Sequence, residues 1–247
     1  ETQTVYVWCD ALTNYLYPKD WWPADVHCIG KDILRFHALY WPAMLLAVGL
    51  SLPKSIFVHG HITVEGQKMS KTLGNVIDPV ELVKKYGVDA VRYYLLREIP
   101  PTDDGDFSYK KFEERYNADL ANGLGNFAAR VLALAEKIGP ISPISPISPI
   151  ETARKAVSAR LSEFRFHEAL SAIWDLIAYG DKFINDNKLW ETKAPQKIGE
   201  ALAILDAVAD LLQPFLPETA EKITGRIQWK DGILKVAQGE ILFPRLL

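Results

Sequence analysis

Residues 68 to 72 read Lys68-Met69-Ser70-Lys71-Thr72, between Gly66 and Gly74. Two ammonium groups three residues apart, on a loop that glycines leave free to change shape, make a cationic clamp. Such a clamp suits the triphosphate of a nucleotide, because it neutralises the charge that collects on a departing pyrophosphate. A second polar pattern lies downstream, where Asn122, Asn126 and Arg130 recur every fourth residue against apolar Leu124, Phe127, Val131 and Leu134. That period places the three polar residues on one helix face. Arginine and asparagine there could read the edges of splayed bases in a single-stranded loop, or simply face water on the outside of a bundle.

The elements that must carry these groups follow from periodicity. Within residues 1–62, Val5-Tyr6-Val7-Trp8, Val26-His27-Cys28-Ile29 and Ile56-Phe57-Val58 are short apolar runs that predict strands, and residues 32–48 have helical spacing. Short apolar strands separated by helices imply a parallel sheet covered on both faces, hence an α/β segment. After the lysine loop, Asp78-Pro79-Val80-Glu81 predicts a helix start, with Asp78 as cap, Pro79 in the first turn and Glu81 completing a capping box. Gly87 predicts its end, and a further helix opens at Asp89. From residue 114 the pattern is almost wholly helical, over 116–138, 150–164, 166–185 and 198–212, which predicts an all-α bundle. Ile-Ser-Pro, repeated three times over 141–149, reads as an extended connector, and 241–244 as a short strand or strap.

Composition narrows the classes. The chain has 247 residues, of which 49% are hydrophobic and 24% charged, and a net charge of −3. Residues 1–113 hold 12 Lys+Arg against 14 Asp+Glu and the remainder 16 against 17, so RNA contact requires a local basic patch. The longest apolar candidate, 39–52, is broken by Pro42 and Gly49, so no membrane span is expected. Cys9 and Cys28 match no zinc spacing and are expected as buried free thiols of a reducing cytosol. Asp103, Asp104 and Asp106 are expected as an acidic turn and not as a metal site.

The lysine loop resembles the Lys-Met-Ser-Lys-Ser loop of class I aminoacyl-tRNA synthetases, with Thr72 for the final serine. The resemblance extends over nearly the whole chain to the methionine enzymes of that class. It implies the carboxy-terminal part of a Rossmann-like nucleotide-binding domain (1–62), the lysine loop with a stem-contact fold (63–113) and a helical anticodon-binding domain with a terminal strap (114–247). It also implies ATP-dependent activation of methionine and transfer of the methionyl group to tRNA(Met), with Mg²⁺ arriving on ATP and no zinc in this chain. Lys68, Ser70 and Lys71 become the catalytic groups. Gly30, Lys31, Asp32 and His59, with the loop and Met69, become the ATP site, Asp32 taking the ribose hydroxyls. Trp8, Ala11, Leu12, Tyr15, Ile33 and His37 become the methionine pocket, apt for a polarizable thioether. Spacing alone favours core for these aromatics, and only the resemblance reverses that. Asn126, Arg130 and Trp190 become anticodon readers, with Leu189 where the family has proline before the tryptophan.

Val58-His59-Gly60-His61 is similar to the family's His-Ile-Gly-His signature but misses its spacing by one residue. In the family that signature lies far upstream of the lysine loop. The expectation is therefore a fragment or processed product of cytoplasmic origin, catalytically incomplete alone, with a complementing amino-terminal half as a further partner. Two other readings stay open: a noncatalytic tRNA-binding module or subunit of a split synthetase, and a class I synthetase for leucine, valine or cysteine.

Overall fold

The computed structural model describes residues 6–70, 72–138, 147–230, 233–237 and 239–246. They fall into two compact units, Glu1–Ile62 with Pro100–Gly105, and Thr63–Ile99 with Asp106–Leu247.

The smaller unit opens on helix α1 (Val7–Thr13), with Tyr6 extended at its N-cap. A strand over Val5-Tyr6-Val7-Trp8 was the expectation; Val5 lies outside the described residues, and Val7 and Trp8 are helical. Trp8, Ala11, Leu12 and Tyr15 stand at the i, i+3, i+4, i+7 positions of one helix face, and that longer period prevails over the strand preference of Val and Trp. Strand β1 (Val26–Gly30) pairs in parallel with β2 (Ser55–His59), from Val26 opposite Ser55 to Gly30 opposite His59. Between them a tight turn at Lys31–Ile33 and a π-turn at Phe36–Tyr40 lead into α2 (Trp41–Ala47). Leu12, Trp41 and Leu45 are buried together, with Trp8, Leu16, Trp22, Phe36 and Met44 packed against them.

The parallel pairing matches expectation, but coverage of both faces does not. Along β1, His27 and Ile29 are buried while Val26 and Cys28 are exposed. Cys9 is exposed as well, so neither free thiol is a core residue. The alternation of a strand packed on one face carries Cys28 outward. The segment Pro100–Gly105 docks on the end of β2. The Gly105 N–H donates to the His61 carbonyl at 2.9 Å, and a Cβ at Gly60 would fall 2.1 Å from the Asp103 carbonyl oxygen. Only glycine fits there.

The larger unit begins with a small sheet in the order β4-β3-β5, from β3 (Ile62–Val64), β4 (Gln67–Lys68) and β5 (Gly105–Phe107). Glu65 and Gly66, both at positive φ, turn β3 into β4 as a two-residue hairpin requires. Asp106 Oδ1 fixes that turn by accepting from Thr63 Oγ1 and the Gly66 N–H, each at 2.7 Å. Helix α3 (Pro79–Tyr86) starts where predicted, with Asp78 accepting from the Val80 N–H at 2.8 Å. Glu81 closes no capping box; it pairs with Lys84 at 2.7 Å, an ordinary i, i+3 partner. Gly87, at φ +86, separates α3 from α4 (Val88–Glu98).

Helix α4 is tied outward along its whole length. Asp89 Oδ2 accepts from the Thr219 N–H at 2.6 Å, Arg92 donates to the Pro214 and Phe215 carbonyls at 2.7 Å each, and Tyr93 donates to Asp119 at 2.7 Å. Arg97 reaches Ser171 Oγ at 2.7 Å. Beyond it run α5 (Tyr109–Arg115), a π-turn at Tyr116–Gly125, α6 (Asn126–Ile138), α7 (Ser148–Ser162), α8 (Phe166–Asp186), α9 (Leu189–Thr192), α10 (Pro195–Leu212) and α11 (Pro217–Thr224). Three of the four predicted helices are present with ends shifted by a few residues, whereas the first, 116–138, is α-helical only from Asn126, its first ten residues being wound as a π-helix. The first two Ile-Ser-Pro repeats lie outside the described residues. The third corrects the connector reading: Ile147 is extended, and Ser148 and Pro149 open α7, proline being at home in a first turn.

A hairpin of β6 (Ile227–Lys230) and β7 (Ile233–Val236), which the apolar pattern did not predict, follows. Residues 241–244 form a strap without strand pairing: Phe243 is buried with its ring 5.9 Å from that of Tyr116, and Asn117 exchanges hydrogen bonds with the backbone of Leu246. No helix among the described residues is long and apolar enough to cross a membrane.

Gly180 on α8 allows α6 to approach closely. A Cβ there would meet the Phe127 ring at 2.5 Å and Ile204 Cγ2 at 3.2 Å, and Phe127 is fully buried with no room to yield. Gly180→Ala is therefore expected to destabilise the larger unit by about 1–3 kcal/mol, the usual cost of overpacking, read as a lowered urea midpoint with an unchanged slope.

Candidate functional site

In the smaller unit the residues singled out by sequence come together around one buried imidazole. His37, with no exposed surface, places Nδ1 3.0 Å from the Ile33 carbonyl and Nε2 2.9 Å from the Tyr15 hydroxyl. The carbonyl can only accept, so Nδ1 carries the proton and Nε2 offers its lone pair. The Tyr15 hydroxyl must then donate. Trp8 stands edge-on to His37 at 5.9 Å and stacks on Phe36 at 4.4 Å, while Tyr15 leans on His27 at 4.4 Å and Trp41 at 6.2 Å. Leu12 is buried beneath and Ala11 half-buried beside it.

Sequence reasoning missed His27, Phe36 and Trp41. Trp41 was within reach, being four residues from His37 and so on the same helical face. His27 had no such signal, since a histidine inside an apolar strand reads as core. It is 5% exposed, and its Nε2 has no hydrogen-bond partner among the described residues. Burial pushes its pKa down, and the neighbouring His37 adds to the effect.

Gly30-Lys31-Asp32 leaves the carboxyl end of β1, where open α/β sheets bind ligands. Asp32 is exposed. A Cβ on Gly30 would stand 2.9 Å from Asp32 Oδ1 and 3.6 Å from His59 Cε1, so the glycine keeps the space between those side chains open. The imidazole of His59 is fixed by Nδ1–H donating to its neighbour's carbonyl, Gly60 O, at 2.9 Å. Lys31, although exposed, is paired: its Nζ lies 2.6 Å from both Asp104 oxygens. The lysine, together with the His61 N–H, holds the Asp104 carboxyl below the usual range. Asp104 and Asp106 are thus already engaged as acceptors within the acidic turn.

In the larger unit Lys68 ends β4, exposed, and Met69 and Ser70 follow, half-buried. Lys71 lies outside the described residues. Asn75, which sequence reasoning passed over, staples the loop: its Oδ1 accepts from the Ser70 N–H at 2.8 Å and its Nδ2 donates to the Lys68 carbonyl at 3.2 Å. Ser70 Oγ accepts from the Thr72 N–H at 3.3 Å. An asparagine five residues after a serine is a weak signal, because side-chain closure of a loop shows no periodicity.

Elsewhere in this unit Asn126 is exposed on α6, and Arg130 is engaged by Asp181 and Asn185 of α8. Trp190 is 48% exposed, with Nε1 donating to Glu191 at 3.3 Å. Leu189 takes the buried position. Lys188, at φ +45, makes the sharp entry into α9 that sends Leu189 inward and Trp190 outward. An outward-facing indole at a helix end can stack on a base.

The chain is similar to known proteins along its whole length. The family model described as tRNA synthetases class I (M) matches residues 1–132. The methionine–tRNA ligase of Clostridium perfringens is 40% identical over 100% of this chain and 45% of its own length, and that of Bacillus subtilis 40% identical over 98% and 43%. The chain thus spans under half the length of these curated relatives. Among solved structures, Mycobacterium tuberculosis methionyl-tRNA synthetase in complex with methionyl-adenylate is similar with a TM-score of 0.86 and 34% identity, over 97% of this chain and 56% of that one. On the match of more than half its residues to the family model, with relatives at this identity along its whole length, the chain belongs to the class I tRNA synthetases of the methionine (M) type.

Proposed function

We propose that this chain forms part of an enzyme that activates methionine with ATP and transfers the methionyl group to the terminal adenosine of tRNA(Met). The observation that supports it most is the hydrogen-bonded set Tyr15–His37–Ile33 within an aromatic wall of Trp8 and Phe36, in a chain 40% identical to methionine–tRNA ligases. A flat, polarizable wall favours a thioether, and a hydroxyl whose proton is already committed to His37 gives no donor to a polar competitor. Methionine is therefore the substrate this wall suits, in preference to leucine, valine or cysteine.

In this reading the methionine carboxylate attacks the α-phosphate of ATP, pyrophosphate leaves, and the tRNA hydroxyl later takes the acyl group from the adenylate with release of AMP. No side-chain nucleophile is needed. Asp32, beside the open glycine turn, binds the ribose hydroxyls, and His59 borders the adenosine. Lys68, Ser70 and Lys71 neutralise the phosphates, with Mg²⁺ entering as the counter-ion of ATP. The anticodon loop contacts Asn126, Arg130 and Trp190, and a cytoplasmic setting with an amino-terminal catalytic half as partner belongs to the same reading. A tRNA-binding module without catalysis is the second reading, and the outward-facing Trp190 at the start of α9 is the observation that favours it.

Three measurements test this. In methionine-dependent ATP–pyrophosphate exchange by a protein that joins this chain to the amino-terminal half its relatives possess, Tyr15→Phe leaves the His37 Nε2 without its donor and the wall less firmly held, and should raise the KM for methionine by up to about fivefold, if the whole ~1 kcal/mol of that neutral hydrogen bond serves to preorganise the wall, with little change in kcat. Leucine, valine or cysteine as the best substrate overturns the assignment. For the RNA surface, Trp190→Ala should weaken binding of a hairpin with a CAU loop by about 1–3 kcal/mol in a filter assay. The third concerns pH. Because the folded chain holds His27 below its unfolded value, the unfolded state takes up the proton first. The stability that neutral His27 gives is complete above the ordinary imidazole value of about 6.5 and is lost as pH falls through the lower folded value. Trp8 and Trp41 fluorescence should follow that loss, and His27→Gln should flatten it.

A further inference from the structure

Arg130 is not free to sample solvent. Its Nη1 donates to Asp181 Oδ1 at 2.7 Å and its Nη2 to Asn185 Oδ1 at 2.6 Å. The two acceptors are four residues apart on α8 and so share one face, which gives the guanidinium two fixed points and one rotamer. The close approach at Gly180 brings α8 within reach, since Asp181 follows that glycine and Phe127, three residues before Arg130, fills the space beside it. Side-chain exposures of 30% for Arg130 and 26% for Asp181 leave the pair on the surface, half-sheltered by the helices. A guanidinium has donors only, so Asn185 must turn its oxygen toward Arg130 and its amide donors away.

We propose that Asp181 is a positioning residue for base reading, holding Arg130 so that its remaining N–H groups, with the amide of Asn185, meet the acceptor edge of an unstacked base. This rests on the reading above that this helix face takes the anticodon loop. An unrestrained arginine binds any phosphate, whereas one held against a carboxylate has its charge offset by that partner and a defined direction. A donor-only face accepts cytosine, with adjacent O2 and N3 acceptors, and rejects uracil, whose N3 carries a hydrogen. Asp181 accordingly contributes to discrimination more than to general affinity.

The test uses the full 247-residue chain and fluorescence-anisotropy titration with two RNA hairpins that differ only in a CAU or UAU loop. Asp181→Ala is expected to lower affinity for the CAU hairpin about tenfold and leave the UAU hairpin unchanged. In an Arg130→Ala background the same substitution should have no further effect, because nothing remains to be positioned. Circular dichroism melting confirms that each variant folds, as expected for a half-exposed pair. Tighter binding of both hairpins by Asp181→Ala makes the carboxylate a general repellent and overturns the proposal, as does an undiminished effect in the Arg130→Ala background. If Arg130→Ala itself leaves CAU binding intact, or the wild-type chain binds neither hairpin, the anticodon reading of this face fails and the proposal falls with it. A loss with Arg130→Ala but none with Asp181→Ala overturns the proposal alone.

Discussion

Every helix leaves unpaired carbonyls at its carboxyl end and unpaired N–H groups at its amino end, and in the larger unit two such ends are satisfied from α4. Arg92 donates to the carbonyls of Pro214 and Phe215 just past the end of α10, and the buried carboxylate of Asp89 accepts from Thr219 in the first turn of α11. A cation at one helix's C-terminus and an anion at the next one's N-terminus also match both dipoles. Tyr93 and Arg97 extend the same anchoring to Asp119 and to Ser171 on α8. Tyr94 turns the other way, with its ring 5.2 Å from that of Phe107 in the small sheet. The sheet that carries the lysine loop and the bundle that carries Arg130 and Trp190 are therefore fastened to one helix.

The smaller unit depends on a direction of proton donation. Once the Ile33 carbonyl has taken the Nδ1 proton of His37, the tautomer, the donor role of Tyr15 and the polarity of the surrounding wall are all determined. The chain is firmest at its buried end, where water does not compete for the imidazole. The burial of His27, His37 and Trp41 shelters the imidazole end of that chain while Tyr15, 41% exposed, meets solvent at the other, and the His27 Nε2 without a partner among the described residues is the visible cost.

How much of this was legible in the sequence depended on whether the signal was local. Helix ends announced by Asp78, Pro79 and Gly87 fell where they should, because capping and positive φ are decided within a few residues. The parallel pair β1–β2 followed from apolar runs with a helix between them. Val7 and Trp8 misled because strand-favouring residues outweighed the 8, 11, 12, 15 spacing beside them. The hairpin of β6 and β7 escaped although Ile227-Gln228-Trp229-Lys230 alternates with a strand's period of two and is followed in sequence by Asp231-Gly232, a local signal that the helical reading of this region passed over. At the site, Trp8, Leu12, Tyr15 and His37 were reached through the family resemblance, because spacing alone reads them as core. Asn75, His27 and Asp181 were not, since each acts across the fold on a partner that no local pattern names.

The two cysteines of the chain, Cys9 and Cys28, are both free, both exposed and both in the smaller unit. A thiol-directed dye or spin label therefore marks that unit alone, with no need to remove other sulfhydryls. Cys9 lies on the helix that bears Trp8, so an environment-sensitive dye confined to it by Cys28→Ser reports on the surroundings of that helix. The neighbourhood of the proposed methionine wall can thus be followed while the helical unit remains spectroscopically unlabelled.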